Sequence, residues 1–165
     1  MAKVVLKLGD DISTDIIYPG RYMATVLPTE TPQYAFADYI DFNARLRQGE
    51  IPAGSIIVGG KNFGCGSSRE QAASCLKGPE LVIVAKHFAR IFLQNSINLG
   101  LRTIICPDIE ADEGDDLEIS ADKVINKTSG LTFNIIPLPK TSQAVIEAGG
   151  LIPFTRQRIL RSEQG

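Results

Sequence analysis

The chain has 165 residues, of which 44% are hydrophobic, and its 17 basic and 19 acidic residues give a formal net charge of −2. This hydrophobic fraction is enough to form the core of one domain over residues 1–165. The near-neutral charge argues against nucleic acid as a partner. The apolar runs are too short for a membrane span or a signal peptide. Three Cys, one His and no Trp supply few metal ligands or general bases, so any catalysis here needs unusual catalytic groups or groups from another protein. The odd number of thiols favours the reducing cytoplasm.

The first half of the chain predicts one strand followed by irregular structure. The apolar run at residues 4–8 is typical of a strand, and the Gly, Asp and Ser residues at 9–15 favour a loop that carries three carboxylates. Residues 25–54 contain several prolines and predict surface-like chain. The better helix of that region covers residues 41–48, because Asp41 can cap its start.

Strands and helices alternate in the middle of the chain. The predicted strands are continuous β-branched runs at residues 55–58, 81–85 and 101–106, and the predicted helices between them cover residues 67–76 and 88–98. Short connections and unbroken apolar runs are typical of parallel strands that are buried on both faces and joined by right-handed crossovers.

The last third of the chain predicts antiparallel strands at residues 117–120 and 131–136 with a turn at 127–130, then a helix at 142–148 and an exposed, arginine-bearing helix from residue 153 onward. The sequence therefore predicts the α/β class, with a mixed sheet whose core strands are parallel.

The strongest indication of a site is the glycine-rich segment at residues 59–70, between a predicted strand and a predicted helix. Glycines there allow positive φ and close approach of a ligand to backbone N–H groups, and a helix N-terminus attracts anions. Ser67, three residues before Glu70, fits a capping box and is the predicted N-cap. Arg69 in a first helical turn opposes the helix dipole unless an anion lies there. The segment therefore predicts an anion site, for which a planar carboxylate is at least as suitable as phosphate.

A purely structural interpretation of the same segment stays open. A Ser at an N-cap is usually only a cap, and a glycine-rich turn is often tight packing. The segment lacks the Gly-Lys-Ser/Thr ending of a P-loop and the third glycine of a dinucleotide-binding motif. The presence of Arg69 favours a site, in which the helix N-terminus, the amides and the guanidinium could make Ser67 acidic enough to serve as a base.

Three segments carry a family resemblance: Asn-Phe-Gly-Cys-Gly-Ser-Ser-Arg-Glu at residues 62–70, Gly-Asp-Asp-Ile-Ser-Thr-Asp at 9–15 and Ala-Lys-His-Phe-Ala-Arg-Ile-Phe at 85–92. Together they resemble the small subunits of the aconitase-like hydro-lyases, most closely those of the 3-isopropylmalate dehydratases, over nearly the whole chain. The resemblance implies a swivelling β/β/α domain that closes over a large subunit. In that family the large subunit carries a [4Fe–4S] cluster, so no metal or cofactor is expected on this chain.

The resemblance also implies roles for single residues. Ser67 matches the serine whose alkoxide removes the proton next to the hydroxyl-bearing carbon, and Asp15 matches an active-site aspartate. Ser68 and Arg69 match residues that hold a substrate carboxylate, with Gly66 in the same binding segment. The cluster of the partner would act as a Lewis acid on the leaving hydroxyl, so that loss and re-addition of water would interconvert 2- and 3-isopropylmalate in leucine biosynthesis.

The resemblance places a specificity loop at Tyr22, Met23, Ala24 and Thr25. Relatives that accept a third carboxylate, as homoaconitases do, tend to place an Arg there, whereas Met23 and Ala24 suit a small apolar substituent such as isopropyl or methyl. Small subunits of homoaconitase and of methylmalate or dimethylmalate dehydratase are the alternatives within the family. Arg21 could still reach the site, and the segment could be an ordinary loop.

The remaining candidates are single residues. Cys65 lies in the glycine-rich segment, where a thiol could be reactive, but an unpaired thiol among glycines is more often a packing residue. Cys75 and Cys106 fall at positions expected to be buried, and the three thiols lack metal-ligand spacing. His87 is interpreted as a helix-start residue. Outside the family, the rivals are a stand-alone carboxylate-binding module and a redox sensor centred on Cys65.

Overall fold

The computed structural model describes residues 1–164 of the chain. Its strands are β1 (Ala2–Lys7), β2 (Ile56–Gly59), β3 (Val82–Ala85), β4 (Thr103–Ile105), β5 (Asp116–Ile119), β6 (Lys123–Asn126) and β7 (Thr132–Asn134). Its α-helices are α1 (Thr14–Ile17), α2 (Ile40–Arg47), α3 (Glu70–Lys77), α4 (Arg90–Leu99), α5 (Lys140–Glu147) and α6 (Leu151–Gln164). Short 3-10 helices cover Gly20–Tyr22 and Thr31–Tyr34.

The strands form one seven-stranded sheet in the order β4-β3-β2-β1-β5-β6-β7. The pairs from β4 to β1 are parallel, and those from β1 to β7 are antiparallel. After β7 the chain returns to the other edge of the sheet, where the Ile136 amide donates to the Ile105 carbonyl at 2.9 Å. The mixed sheet with parallel core strands is therefore confirmed.

The central parallel strands are buried along their whole length. Because side chains alternate across a strand, Ile57 and Ile83 join one apolar cluster, with α3 and α4, while Ile56 and Val82 join a second cluster on the opposite face with the antiparallel strands. Apolar packing on both faces fixes the register of β1 and β2. It thereby fixes where the loops after these strands emerge.

Some predicted boundaries change. β6 is absent from the predicted elements because its two apolar residues form too short a pattern. The predicted Asp41 cap is wrong, since α2 begins after Tyr39 with no capping side chain among the described residues. α6 begins two residues earlier than predicted, and its arginines are exposed. None of the helices described within residues 1–164 combines the length and apolarity needed to cross a bilayer.

Candidate active site

The loops that follow β1 and β2 lie against each other, because these neighbouring strands are parallel and end at the same edge of the sheet. Backbone hydrogen bonds join the loops: the Gly64 amide donates to the Ile12 carbonyl at 2.7 Å, and the Thr14 amide donates to the Cys65 carbonyl at 2.8 Å. The carboxyl ends of parallel strands are where α/β proteins usually bind ligands. The structure therefore brings two of the segments that carry the family resemblance into one site.

Ser67 lies on the exposed side of this pair of loops. Its Oγ is 3.0 Å from Oγ1 of Thr14, which is buried. The preceding Gly66 has φ of 102°, a conformation that residues with a Cβ rarely adopt. On the other side, Nδ2 of Asn95 in α4 donates to the Ser68 carbonyl at 3.2 Å. The backbone around Ser67 is thus held from both sides while its side chain stays accessible.

The predicted capping box at Ser67 is wrong. α3 begins at Glu70 and its N-cap is Arg69, and no capping hydrogen bond from that side chain is found in the described structure. The contacts with the β1 loop and with α4 fix the chain before the helix, and they override the local capping preference of a serine. Instead of capping the helix, the Ser67 hydroxyl contacts Thr14.

Arg69 is paired with Asp15. Its Nη1 donates to Asp15 Oδ1 at 3.0 Å and to the Tyr18 carbonyl at 3.3 Å, and the same Asp15 oxygen accepts the Gly20 amide at 2.8 Å. The Arg69 side chain is 19% exposed and that of Asp15 is 67% exposed. The bond from Arg69, followed by that from Gly20, holds the pKa of the Asp15 carboxyl below its usual value. Asp15 is therefore ionised at neutral pH, and the ion pair removes the conflict with the helix dipole.

One donor of the Arg69 guanidinium has no partner in the described structure. This donor is Nε, which is buried. A buried donor without a partner costs free energy, and because this atom is closed to solvent, an acceptor could reach it only if neighbouring groups moved. The charge of Arg69 is also balanced by Asp15.

The predicted specificity loop is attached to the same region. The hydroxyl of Tyr18, a fully buried residue, lies 2.9 Å from the Tyr22 carbonyl and 3.1 Å from the Thr25 carbonyl, so its one proton bridges both ends of the loop. The side chains of Met23 and Ala24, between these ends, are exposed. The backbone of the loop is therefore anchored while its two central side chains remain available for contacts.

The charge of Arg21 is already paired within this chain. It pairs with Asp38 through both terminal nitrogens, and its guanidinium carbon lies 4.7 Å from the centre of the Tyr22 ring. That ring stacks on Tyr34, with 4.0 Å between the centroids. For Arg21 to reach a substrate, it would have to break the ion pair with Asp38.

Of the remaining predicted candidates, Cys65 lies in the loop that carries Ser67, whereas Cys75 lies in α3 and Cys106 follows β4. Cys65 is partly buried, and Cys75 and Cys106 are buried, which raises the pKa of both of these thiols. His87 is exposed and precedes the N-cap of α4. No cluster of three or more His, Cys, Asp or Glu side chains suited to a metal occurs in the described part of the chain. The donors present therefore do not fit a [4Fe–4S] cluster, which needs several thiolates in one place.

The structure adds Thr14 to the predicted site residues. The contact between its hydroxyl and that of Ser67 joins positions 53 apart in sequence. The one indication in the sequence is that Thr14 precedes Asp15 in the loop after the first strand. Local patterns show neither its burial nor its partner.

Known proteins match this chain over most of its length. Residues 11–108 match the aconitase C-terminal domain. The chain is 41% identical over 158 residues to the 3-isopropylmalate dehydratase small subunit of Methanosarcina mazei, covering 93% of this chain and 94% of that one. It is 40% identical over 166 residues to the isopropylmalate/citramalate isomerase small subunit of Methanocaldococcus jannaschii, covering 96% and 95%. The crystal structure of a 3-isopropylmalate dehydratase from Methanocaldococcus jannaschii matches with a TM-score of 0.86 and 36% identity, covering 99% of this chain and 98% of that one.

Proposed function

Because this chain belongs to the aconitase C-terminal domain family, as a relative of the 3-isopropylmalate dehydratase small subunits, we propose that it is the small subunit of a hydro-lyase that interconverts 2- and 3-isopropylmalate. It acts as one domain over residues 1–165, in the cytoplasm, on a step of leucine biosynthesis. A large subunit completes the site. The [4Fe–4S] cluster expected in this family is assigned to that subunit, because the described donors of this chain do not fit it.

The observation that carries the proposal is an exposed Ser67, whose hydroxyl contacts Thr14, in the same pair of loops as the ion pair of Asp15 and Arg69. As an alkoxide, Oγ of Ser67 takes the proton from the carbon next to the hydroxyl-bearing carbon. The electron pair of that C–H bond becomes the double bond of the dehydrated acid as the C–O bond breaks. The hydroxyl leaves with the C–O electron pair as hydroxide, for which the cluster expected on the large subunit would supply the Lewis acid. Re-addition of water with the opposite orientation gives the other isomer, and Ser67 then returns the proton.

Ser68 and Arg69 bind a substrate carboxylate in this proposal, with Gly66 leaving the adjacent backbone open. Asp15 fixes the orientation of Arg69, whose Nε still has no partner in the described structure. Since Asp15 also balances the charge of Arg69, this chain alone offers a dicarboxylate little net positive charge. Weak binding by the isolated chain and the need for cations from the large subunit follow from this arrangement.

The specificity loop favours an apolar substituent on the substrate. Met23 and Ala24 are exposed at its centre, and the neighbouring Arg21 is paired with Asp38. This arrangement suits isopropyl better than the third carboxylate of homoaconitate. A methyl substituent would fit the same side chains, and the name of the Methanocaldococcus jannaschii relative includes citramalate, so a methyl-substituted malate is the second candidate.

The test uses the chain assembled with its large subunit under anaerobic conditions. Ser67→Ala should lower kcat for 2-isopropylmalate at least about 100-fold, the scale of a positioned acid or base, while folding and assembly stay intact. Ser162→Ala, an exposed serine on α6, is the matched control and should keep the wild-type rate. Retention of more than about a tenth of kcat by Ser67→Ala would remove the serine from its role as base. Turnover by the isolated chain would contradict the two-subunit proposal.

A further inference from the structure

We infer that Thr14 is a positioning residue, which holds the Ser67 hydroxyl in the orientation needed to take the substrate proton. This inference rests on the proposed function. The observation behind it is the distance of 3.0 Å between Oγ1 of Thr14 and Oγ of Ser67. No role for Thr14 follows from the sequence patterns that predict the site.

The structure fixes Thr14 firmly. Its amide donates to the Cys65 carbonyl at 2.8 Å, and its carbonyl accepts the Tyr18 amide at 2.8 Å, where α1 ends. Only 2% of the residue is exposed, and Oγ1 lies 3.5 Å from the position that a Cβ on Gly66 would occupy. The Thr14 hydroxyl is therefore held in place directly beneath the segment that carries Ser67.

Ser67, in contrast, is exposed and precedes the helix rather than lying within it. An exposed serine can populate all three staggered rotamers, and a hydrogen bond to a fixed hydroxyl favours one of them. A hydroxyl can donate or accept, so the same contact serves both protonation states of Ser67. Once Oγ is anionic, Thr14 donates to it, and hydrogen bonds to charged groups are the stronger kind.

A merely structural role for Thr14 gives different expectations. If its hydroxyl only satisfies a buried polar group, removing it lowers stability without a specific effect on the chemical step. If it positions Ser67, its removal lowers kcat while KM for the substrate changes little, because the carboxylate-binding residues stay in place.

The experiment compares Thr14→Val, which replaces the hydroxyl by a methyl group, with Thr14→Ser, which keeps the hydroxyl. In the assembled enzyme with 2-isopropylmalate, Thr14→Val should lower kcat about 10- to 100-fold, as expected for one hydrogen bond to a charged group, with KM within about threefold of the wild type. Thr14→Ser should stay within about threefold of the wild-type kcat. If Thr14→Val fails to fold, Thr14→Ala replaces it and should be equally slow.

The matched control is Thr31→Val. Thr31 is also buried, and its Oγ1 lies 2.7 Å from Oγ of Ser74, so this variant removes a similar Thr–Ser hydrogen bond away from the site. It should lower the urea midpoint of unfolding but keep kcat within about twofold of the wild type. If Thr31→Val lowered kcat as much as Thr14→Val, both effects would be explained by general destabilisation, and the inference would be overturned.

A double mutant separates this inference from the proposed function. If Thr14 acts through Ser67, adding Thr14→Val to Ser67→Ala should cause no further loss of kcat. If Thr14→Val lowers kcat as much in the Ser67→Ala background as in the wild type, the inference is overturned. It is also overturned if Thr14→Val keeps the wild-type kcat, or if Thr14→Ser and Thr14→Val lower kcat equally. Equal rates for the wild type and Ser67→Ala would instead contradict the proposed role of Ser67 as base.

Discussion

Replacing Gly64 by Ala should displace the loop that carries Ser67. Gly64 has φ of 85°, and a Cβ built on it would overlap both Cβ and Cγ of Phe92 and lie 2.6 Å from its Cδ1. Phe92 is buried, with its ring centre 5.5 Å from that of Phe63. Because the overlap includes Cβ of Phe92, no change of rotamer relieves it, and the backbone itself must move.

The expected loss of stability has two parts. The left-handed conformation costs an alanine about 1–2 kcal/mol, and forcing extra volume into a packed core costs about 1–3 kcal/mol. The sum of about 2–5 kcal/mol corresponds to a melting temperature lowered by about 4–20 °C, given about 2–4 °C per kcal/mol for chains of this length. Turnover with the large subunit should fall as well, since Ser67 lies three residues further along the loop.

Gly130→Ala is the matched control for this prediction. Gly130 has φ of 81°, and a Cβ built on it meets no described atom within 4 Å, so only the conformational part applies. Urea unfolding of both variants measures the difference, which should be about 1–3 kcal/mol in favour of Gly130→Ala. A difference below about 0.5 kcal/mol would refute the steric reasoning at Gly64.

Two further predictions concern charge at the site. Asp15→Asn removes a carboxylate whose pKa is held below its usual value, chiefly by the bond from Arg69. The ionised form stabilises the fold above about pH 4, and this contribution is lost as the pH falls through the lowered pKa of the folded state. The difference in urea midpoint between the wild type and Asp15→Asn should therefore be largest near neutral pH and vanish in strong acid. A difference that does not change with pH would show that the ion pair of Asp15 and Arg69 does not stabilise the fold. Ala24→Arg should shift the kcat/KM preference from isopropylmalate toward homoaconitate, because a guanidinium can pair with the third carboxylate. An unchanged ratio of the two kcat/KM values would show that this position does not contact the variable substituent.

Predictions from the sequence are most accurate where the apolar pattern is long. The buried runs of β2 and β3 lie close to their predicted bounds, because continuous β-branched residues fit few other structures, and so does α4, the helix that follows β3. Short elements are harder to predict. β6 offers only Val124 and Ile125 as apolar residues, and it becomes a strand because β5 and β7 supply hydrogen-bond partners on both sides.

The start of α3 shows how tertiary contacts override a local signal. The Ser67–Glu70 spacing satisfies a capping pattern, yet the helix begins at Glu70. Thr14 binds the carbonyl of Cys65, and Asn95 binds that of Ser68, so the intervening chain cannot enter the helix. The partners in both contacts lie far away in sequence, and a capping rule takes no account of them.

The sequence by itself determined the α/β class, the order of the central strands and helices, and the positions of the two loops that bear the proposed site residues, because these depend on local composition and periodicity. The tertiary structure alone decided which side chains from the two loops meet. Asp15 pairs with Arg69, and Thr14 contacts Ser67, only because the β1–β2 pairing brings together loops more than 50 residues apart. The orientation of Ser67 is therefore a property of the assembled sheet, since neither loop contains both partners of either contact.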